Sequence, residues 1–168
     1  MSGDRKAVDL AAFIERTWRE QGKPCSERTL EVALAFAAAR RAAFAPHTAV
    51  LAHGDAHAGN LLLASAEGEP RRYKFVDPEG LFIERAYDLA IPMREWGTEL
   101  LEGNPLALGH RRCALLARLT GVEPEAIWQW GFIERVSTGL HLRELGWEAE
   151  SREYLAVAEA WAAAEPHG

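Results

Sequence analysis

No stretch of the sequence is apolar for long enough to cross a membrane, and the first ten residues, MSGDRKAVDL, lack the apolar centre of a secretory signal. The simplest address for such a chain is the cytoplasm, with no membrane partner. Cysteine is scarce: Cys25 and Cys113 stand alone, without a Cys-x-x-Cys pair or a histidine-rich neighbourhood. That points away from a disulfide framework or a zinc site and leaves two core thiols. Basic clusters are missing too. With 19 Lys and Arg against 25 Asp and Glu, the formal charge is −6. This argues against nucleic acid as a partner and favours a cationic small molecule. No repeat, low-complexity tract or linker divides the 168 residues, so one compact domain is expected.

What is present reads as mainly α with one small β-hairpin. In DLAAFIERTWRE, Leu10, Phe13, Ile14 and Trp18 share a helical face, predicting a helix over 5–20; a second, over 26–45, is opened by a Ser26 N-cap. NLLLA, the turn-like SAEGEP and RYKFV predict a hairpin over 61–76. The region 81–164 reads as helical: YDLAIPMREWGTELL is interrupted near Pro92, and a helix runs from Asn104 and Pro105 to Gly121. Another spans Pro124 to near Gly146, and a last one runs from about Ser151 to Ala164. Trp96, Trp128, Trp130, Trp147 and Trp161 recur at helical positions and read as core.

Between two apolar runs lies HGDAHAGN, residues 53–60, and FVDPEG follows the hairpin. Asp55, Asn60 five residues later and Asp77 beyond the hairpin are three oxygen-bearing side chains that can converge at one edge of it. This is the pattern of phosphoryl transfer: one Asp orients the acceptor hydroxyl and takes its proton, while an Asn and a second Asp hold magnesium against nucleotide phosphates. Magnesium prefers oxygen ligands, which suits Asn and Asp at these positions.

HGDAHAGN, FVDPEG and YDLA, in this order, resemble the C-terminal lobe of the aminoglycoside phosphotransferase family, whose fold is similar to that of protein kinases. DPEGLFIERAYDLA and WGFIERVSTGLHLRELG further resemble the branch holding streptomycin 6-phosphotransferases and aminoglycoside/hydroxyurea resistance kinases. The resemblance implies transfer of the ATP γ-phosphoryl group to an alcohol of an aminoglycoside such as streptomycin, with ATP and Mg2+ required. It implies that Asp55 is the catalytic base, that Asn60 and Asp77 are the metal ligands, and that Asp88 braces the catalytic loop by accepting backbone hydrogen bonds.

Other residues are weighed one by one. His53 and His57 read as structural supports of the loop, since a histidine in such a turn more often fixes backbone geometry than performs chemistry. Glu79 reads equally well as a residue facing nucleotide or substrate and as a solvated turn carboxylate. From Asp77 to Asn104 seven carboxylates face only Arg85 and Arg94; an acidic surface of this kind draws cations, although charge runs are commonly solvated helix faces. Glu84 and Glu134 are the substrate-binding candidates.

No glycine-rich strand-turn-strand precedes His53, and Lys6 and Lys23 lie outside any strand pattern. The β-rich ATP lobe of a kinase is therefore expected to be absent here and supplied by a missing segment or another chain; without it, the chain is expected to be inactive or very weak. Two alternatives stand beside this reading. One is a non-catalytic binding remnant, or partner subunit of a kinase. The other is a metal-dependent phosphoesterase using His53, Asp55 and His57, disfavoured because His47, His110, His141 and His167 form no second ligand motif.

Overall fold

The structure, a computed structural model, describes residues 3–165. Its core is organised around α6 (Pro124–Glu144), in which every residue from 126 to 137 is buried. A helix with no solvent face must be surrounded by others. Here α1 (Gly3–Glu20), α2 (Glu27–Ala43), α3 (Ala86–Arg94), α5 (Pro105–Thr120) and α7 (Glu148–Ala162) pack on it, and the short α4 (Gly97–Glu102) bridges α5 and α7. No helix among the described residues is long and apolar enough to cross a membrane.

Small residues decide how closely these helices approach. A Cβ at Gly131 would lie 2.6 Å from the Cβ of Met93, and one at Gly139 would lie 2.9 Å from a methyl carbon of Leu155. Glycine at 131 thus lets the end of α3 rest almost on the α6 backbone. That contact sets the position of Arg94, the last residue of α3.

Helix limits follow local chemistry. Ser26 Oγ accepts from the Thr29 amide at 3.2 Å, and Asn104 Oδ1 accepts from the Ala107 amide at 2.9 Å, as N-caps should. Gly121 ends α5 in the left-handed conformation, φ 69°. The last helix begins at Glu148 and ends at Ala162, a little earlier at both ends than its sequence pattern implies. In α1, Ile14 and Trp18 are buried and Leu10 and Phe13 pack at the edge of the core.

The β structure is more than the single hairpin expected. β2 (Leu61–Leu63) and β3 (Tyr73–Phe75) form that hairpin, with Leu61 opposite Phe75. A second antiparallel pair joins β1 (Val50–Ala52) to β4 (Leu81–Ile83), with Ala52 opposite Leu81. The region from 81 onward therefore starts as a strand and only then turns helical, a correction to the all-helical reading. Three-residue strands are too short to show a period of two. Their pairing closes 53–80 into one loop with both ends clamped. A second correction concerns tryptophan: Trp128, Trp130 and Trp161 are core, but Trp96 and Trp147 are 50% and 55% exposed.

Candidate active site

The loop after β1 is held from below by Asp88 in the first turn of α3. Its two carboxylate oxygens accept from the amides of His53 and Gly54, each at 2.8 Å. Charge-assisted bonds of this kind are roughly twice as strong as neutral ones. Gly54 sits at φ 89°, and a Cβ there would come within 2.9 Å of Glu79 Cβ, so only glycine allows both the turn and the close return of 79–80. Glu79 and Gly80 complete that return by donating backbone N–H bonds to the His53 carbonyl at 2.8 and 3.4 Å.

Both histidines of the motif are used internally. His53 Nδ1 accepts from the Asp55 amide at 3.3 Å, which leaves its Nε2–H to donate to the Val76 carbonyl at 3.0 Å. His57 Nδ1 accepts from the Gly59 amide at 3.0 Å, so its Nε2–H faces Asp55 Oδ2 at 3.2 Å. With both lone pairs engaged, neither imidazole offers a nitrogen to a metal. Among the described residues no three His, Cys, Asp or Glu side chains group as a metal site.

Asp55 lies at the centre. Arg94 Nη2 meets its Oδ1 at 2.9 Å, and Asn60 Nδ2 donates to its backbone carbonyl at 2.9 Å, 3.4 Å from Oδ2. A carbonyl only accepts, so the Asn60 amide nitrogen must face Asp55 and its Oδ1 must face away. The backbone on either side of Asp77 is tied to this loop. Val76 donates its amide to the Asn60 carbonyl at 2.9 Å on one side, and Glu79 bonds His53 on the other. Asp77 itself is exposed, adopts φ 60°, and has no hydrogen bond or ion pair to a described residue. An amide oxygen turned outward and an unpartnered carboxylate are hard donors that suit magnesium, which keeps its other positions for water and phosphate oxygens.

Arg94 is the residue that sequence reasoning missed. Its side chain is 16% exposed and lies between Asp55 and Glu134, whose Oε2 it meets at 3.0 Å; the Glu134 side chain is 5% exposed and also accepts from Tyr87 O–H at 2.6 Å. Burial alone would lower the pKa of Arg94, but the carboxylates of Glu134, Asp55 and Glu95 outweigh it and hold the guanidinium firmly charged. Burial and the Glu134 carboxylate push the Tyr87 phenol well above its ordinary range. The only sequence signal was that Arg94 and Arg85 are the sole cations in an acidic stretch. Lys6, on α1, reaches the same edge, 3.8 Å from Glu79.

The two substrate-binding candidates sit differently from what the sequence implied. Glu134 is beneath Arg94 with both oxygens taken. Glu84 accepts from Trp130 Nε1 at 2.7 Å and from Arg40 Nη1 at 3.3 Å, tying β4 to α6 and α2. Both carboxylates hold the protein to itself, because each lies next to a buried donor that would otherwise lose its partner.

The arrangement can position a hydroxyl against Asp55 beside a divalent cation, which is phosphotransfer chemistry. No curated protein and no solved structure matches the chain. The family model described as "Aminoglycoside/hydroxyurea antibiotic resistance kinase" matches residues 3–146, a span that includes every site residue above. The chain thus belongs to the aminoglycoside/hydroxyurea antibiotic resistance kinase family.

Proposed function

We propose that this chain carries the catalytic loop and acceptor side of a kinase that moves the γ-phosphoryl group of ATP to an alcohol of an aminoglycoside such as streptomycin. The observation that supports it is the Asp55 carboxylate, pinned by Arg94 on a loop whose backbone is bonded to Asp88. Asp55 orients the acceptor hydroxyl and takes its proton as the acceptor oxygen bonds to the γ-phosphorus and the bond to the ADP oxygen breaks. Arg94 and His57 keep that carboxylate from rotating away. Asn60 Oδ1 and Asp77 would hold magnesium, which when bound neutralises phosphate charge. Asp88, His53 and Gly54 hold the loop, since positioning supplies most of the catalysis in this reaction.

The β-rich lobe that grips ATP in this fold would come from a further segment or another chain. The described residues ahead of β1 are the helices α1 and α2. The test is to join such a lobe, supply Mg-ATP with streptomycin or hydroxyurea, and look for a phosphomonoester by mass spectrometry. Phosphorylated streptomycin is expected. ATP consumed with no phosphorylated streptomycin would overturn the acceptor assignment.

A further inference from the structure

Arg94, whose guanidinium meets Asp55, is the last residue of α3, where backbone carbonyls run out of helical partners. Two other arginines take up those carbonyls. Arg135 Nη2 donates to the carbonyls of Met93 at 2.9 Å and Glu95 at 3.1 Å, one on each side of Arg94. Arg112 Nη1 donates to those of Glu95 at 2.8 Å and Pro92 at 3.3 Å. Cations also suit the negative end of a helix dipole. Just beyond, Trp96 is held at φ 54°, ψ 51°, a left-handed backbone that a bulky residue adopts only when its surroundings impose it.

Arg135 is the less expected of the two. It is fully buried, its Nε and Nη1 make no hydrogen bond to a described residue, and burial lowers its pKa to about 10. Its guanidinium carbon lies 5.0 Å from the ring centre of Trp161 and 5.4 Å from that of Tyr154, so aromatic faces cover part of the charge. An apolar side chain of similar length would fill this place with no cation to desolvate. What only a donor supplies here is a grip on the carbonyls beside Arg94. Gly131, Glu134 and Arg135 share one face of α6 and act together on Met93, Arg94 and Glu95. Gly131 admits Met93, Glu134 Oε2 meets Arg94 Nη1 at 3.0 Å, and Arg135 holds the backbone on either side.

We propose that Arg135 is a positioning residue for phosphoryl transfer: its grip on both carbonyls beside Arg94 fixes the guanidinium that pins Asp55. This rests on the reading of Asp55 as the group that takes the acceptor's proton. A guanidinium displaced by about 1 Å would let that carboxylate turn, and misplacement on this scale lowers turnover by up to about a hundredfold.

The test has two arms. In the chain itself, nitrogen-labelled NMR follows the Arg94 Nη–H resonances, assigned by their loss in Arg94→Lys. Arg135→Met is expected to speed their exchange with water about fivefold or more, while the amides of His53 and Gly54, which Asp88 holds, exchange as in the parent. Arg135→Lys can set one ammonium against both carbonyls, since a single nitrogen serves them now, and is expected to speed Arg94 exchange by less. Should Arg135→Met not fold, Arg135→Lys and Arg112→Met carry the same comparison. In the chain joined to a kinase-type ATP-binding lobe, Arg135→Met is expected to lower kcat about tenfold with the acceptor KM within about twofold, and to lower kcat no further in an Arg94→Met background. Unchanged Arg94 exchange, exchange at His53 and Gly54 quickened to the same extent, or an additive loss of kcat in the Arg94→Met background would overturn the positioning role and leave the Asp55 reading standing. A joined parent that transfers no phosphoryl group would overturn the Asp55 reading and the catalytic consequence drawn from it, while the NMR arm decides in either case whether Arg135 holds Arg94.

Discussion

Replacing Arg94 by methionine removes the one cation between Asp55 and Glu134 while keeping most of the side chain's volume. Glu134 is buried, so it would be left with only the Tyr87 hydroxyl as partner. Breaking a buried ion pair from one side costs about 3–5 kcal/mol. The Asp55 half counts for less, because that side chain is a third exposed and water screens it. The loss is therefore expected near the lower figure, about 3 kcal/mol, out of the total of about 5–15 kcal/mol usual for a domain. In urea, with a slope of about 2 kcal/mol/M, the unfolding midpoint followed by circular dichroism falls by about 1.5 M. Adding Glu134→Gln removes the stranded charge and keeps the Tyr87 hydrogen bond, so the double variant is expected to be the more stable. A loss under about 1 kcal/mol, or a double variant no more stable than Arg94→Met, would refute the role of Arg94 as the bridge.

Asp88→Asn places an amide N–H₂ against one of the two backbone donors it now serves, and is expected to cost about 2 kcal/mol and to speed hydrogen exchange at His53 and Gly54. Gly131→Ala drives a methyl into Met93, displaces the end of α3, and is expected to lower stability by about 1–3 kcal/mol, measured by thermal unfolding. Burial, then the Glu159 carboxylate, raise the Cys25 thiol from 9.0 to about 12. The unfolded thiol ionises first, so stability present below pH 9 is lost as pH climbs from about 9 toward 12. Cys25→Ala is expected to flatten that part of the pH–stability curve.

The helices were legible in the sequence because their signals are local. Ser26, Asn104 and Gly121 each act within one turn, and the period along α1 follows from its own residues. The loop of 53–60 was legible because Asp55 and Asn60 lie close in the chain. Arg94 and Glu134 were not, because their contact spans forty residues and depends on Gly131 admitting α3 to the surface of α6. Sheet β1–β4 was hidden for a similar reason: three apolar residues on each side carry no period, and only Gly54 and the return at 79–80 bring them together. The exposure of Trp96 is set by arginines 16 and 39 residues away, which hold the turn through its carbonyls.

The most direct measurement is phosphoryl transfer to streptomycin by the chain joined to a kinase-type ATP-binding lobe, comparing Asp55 with Asp55→Asn. The amide retains the shape and one acceptor oxygen but cannot take a proton. Turnover is expected to fall by about 10²–10⁴-fold while the KM for ATP changes little, since the proposed role of Asp55 is toward the acceptor hydroxyl and not the nucleotide. Transfer by Asp55→Asn at close to the parent rate would contradict the assignment of this carboxylate as the group that takes the acceptor's proton.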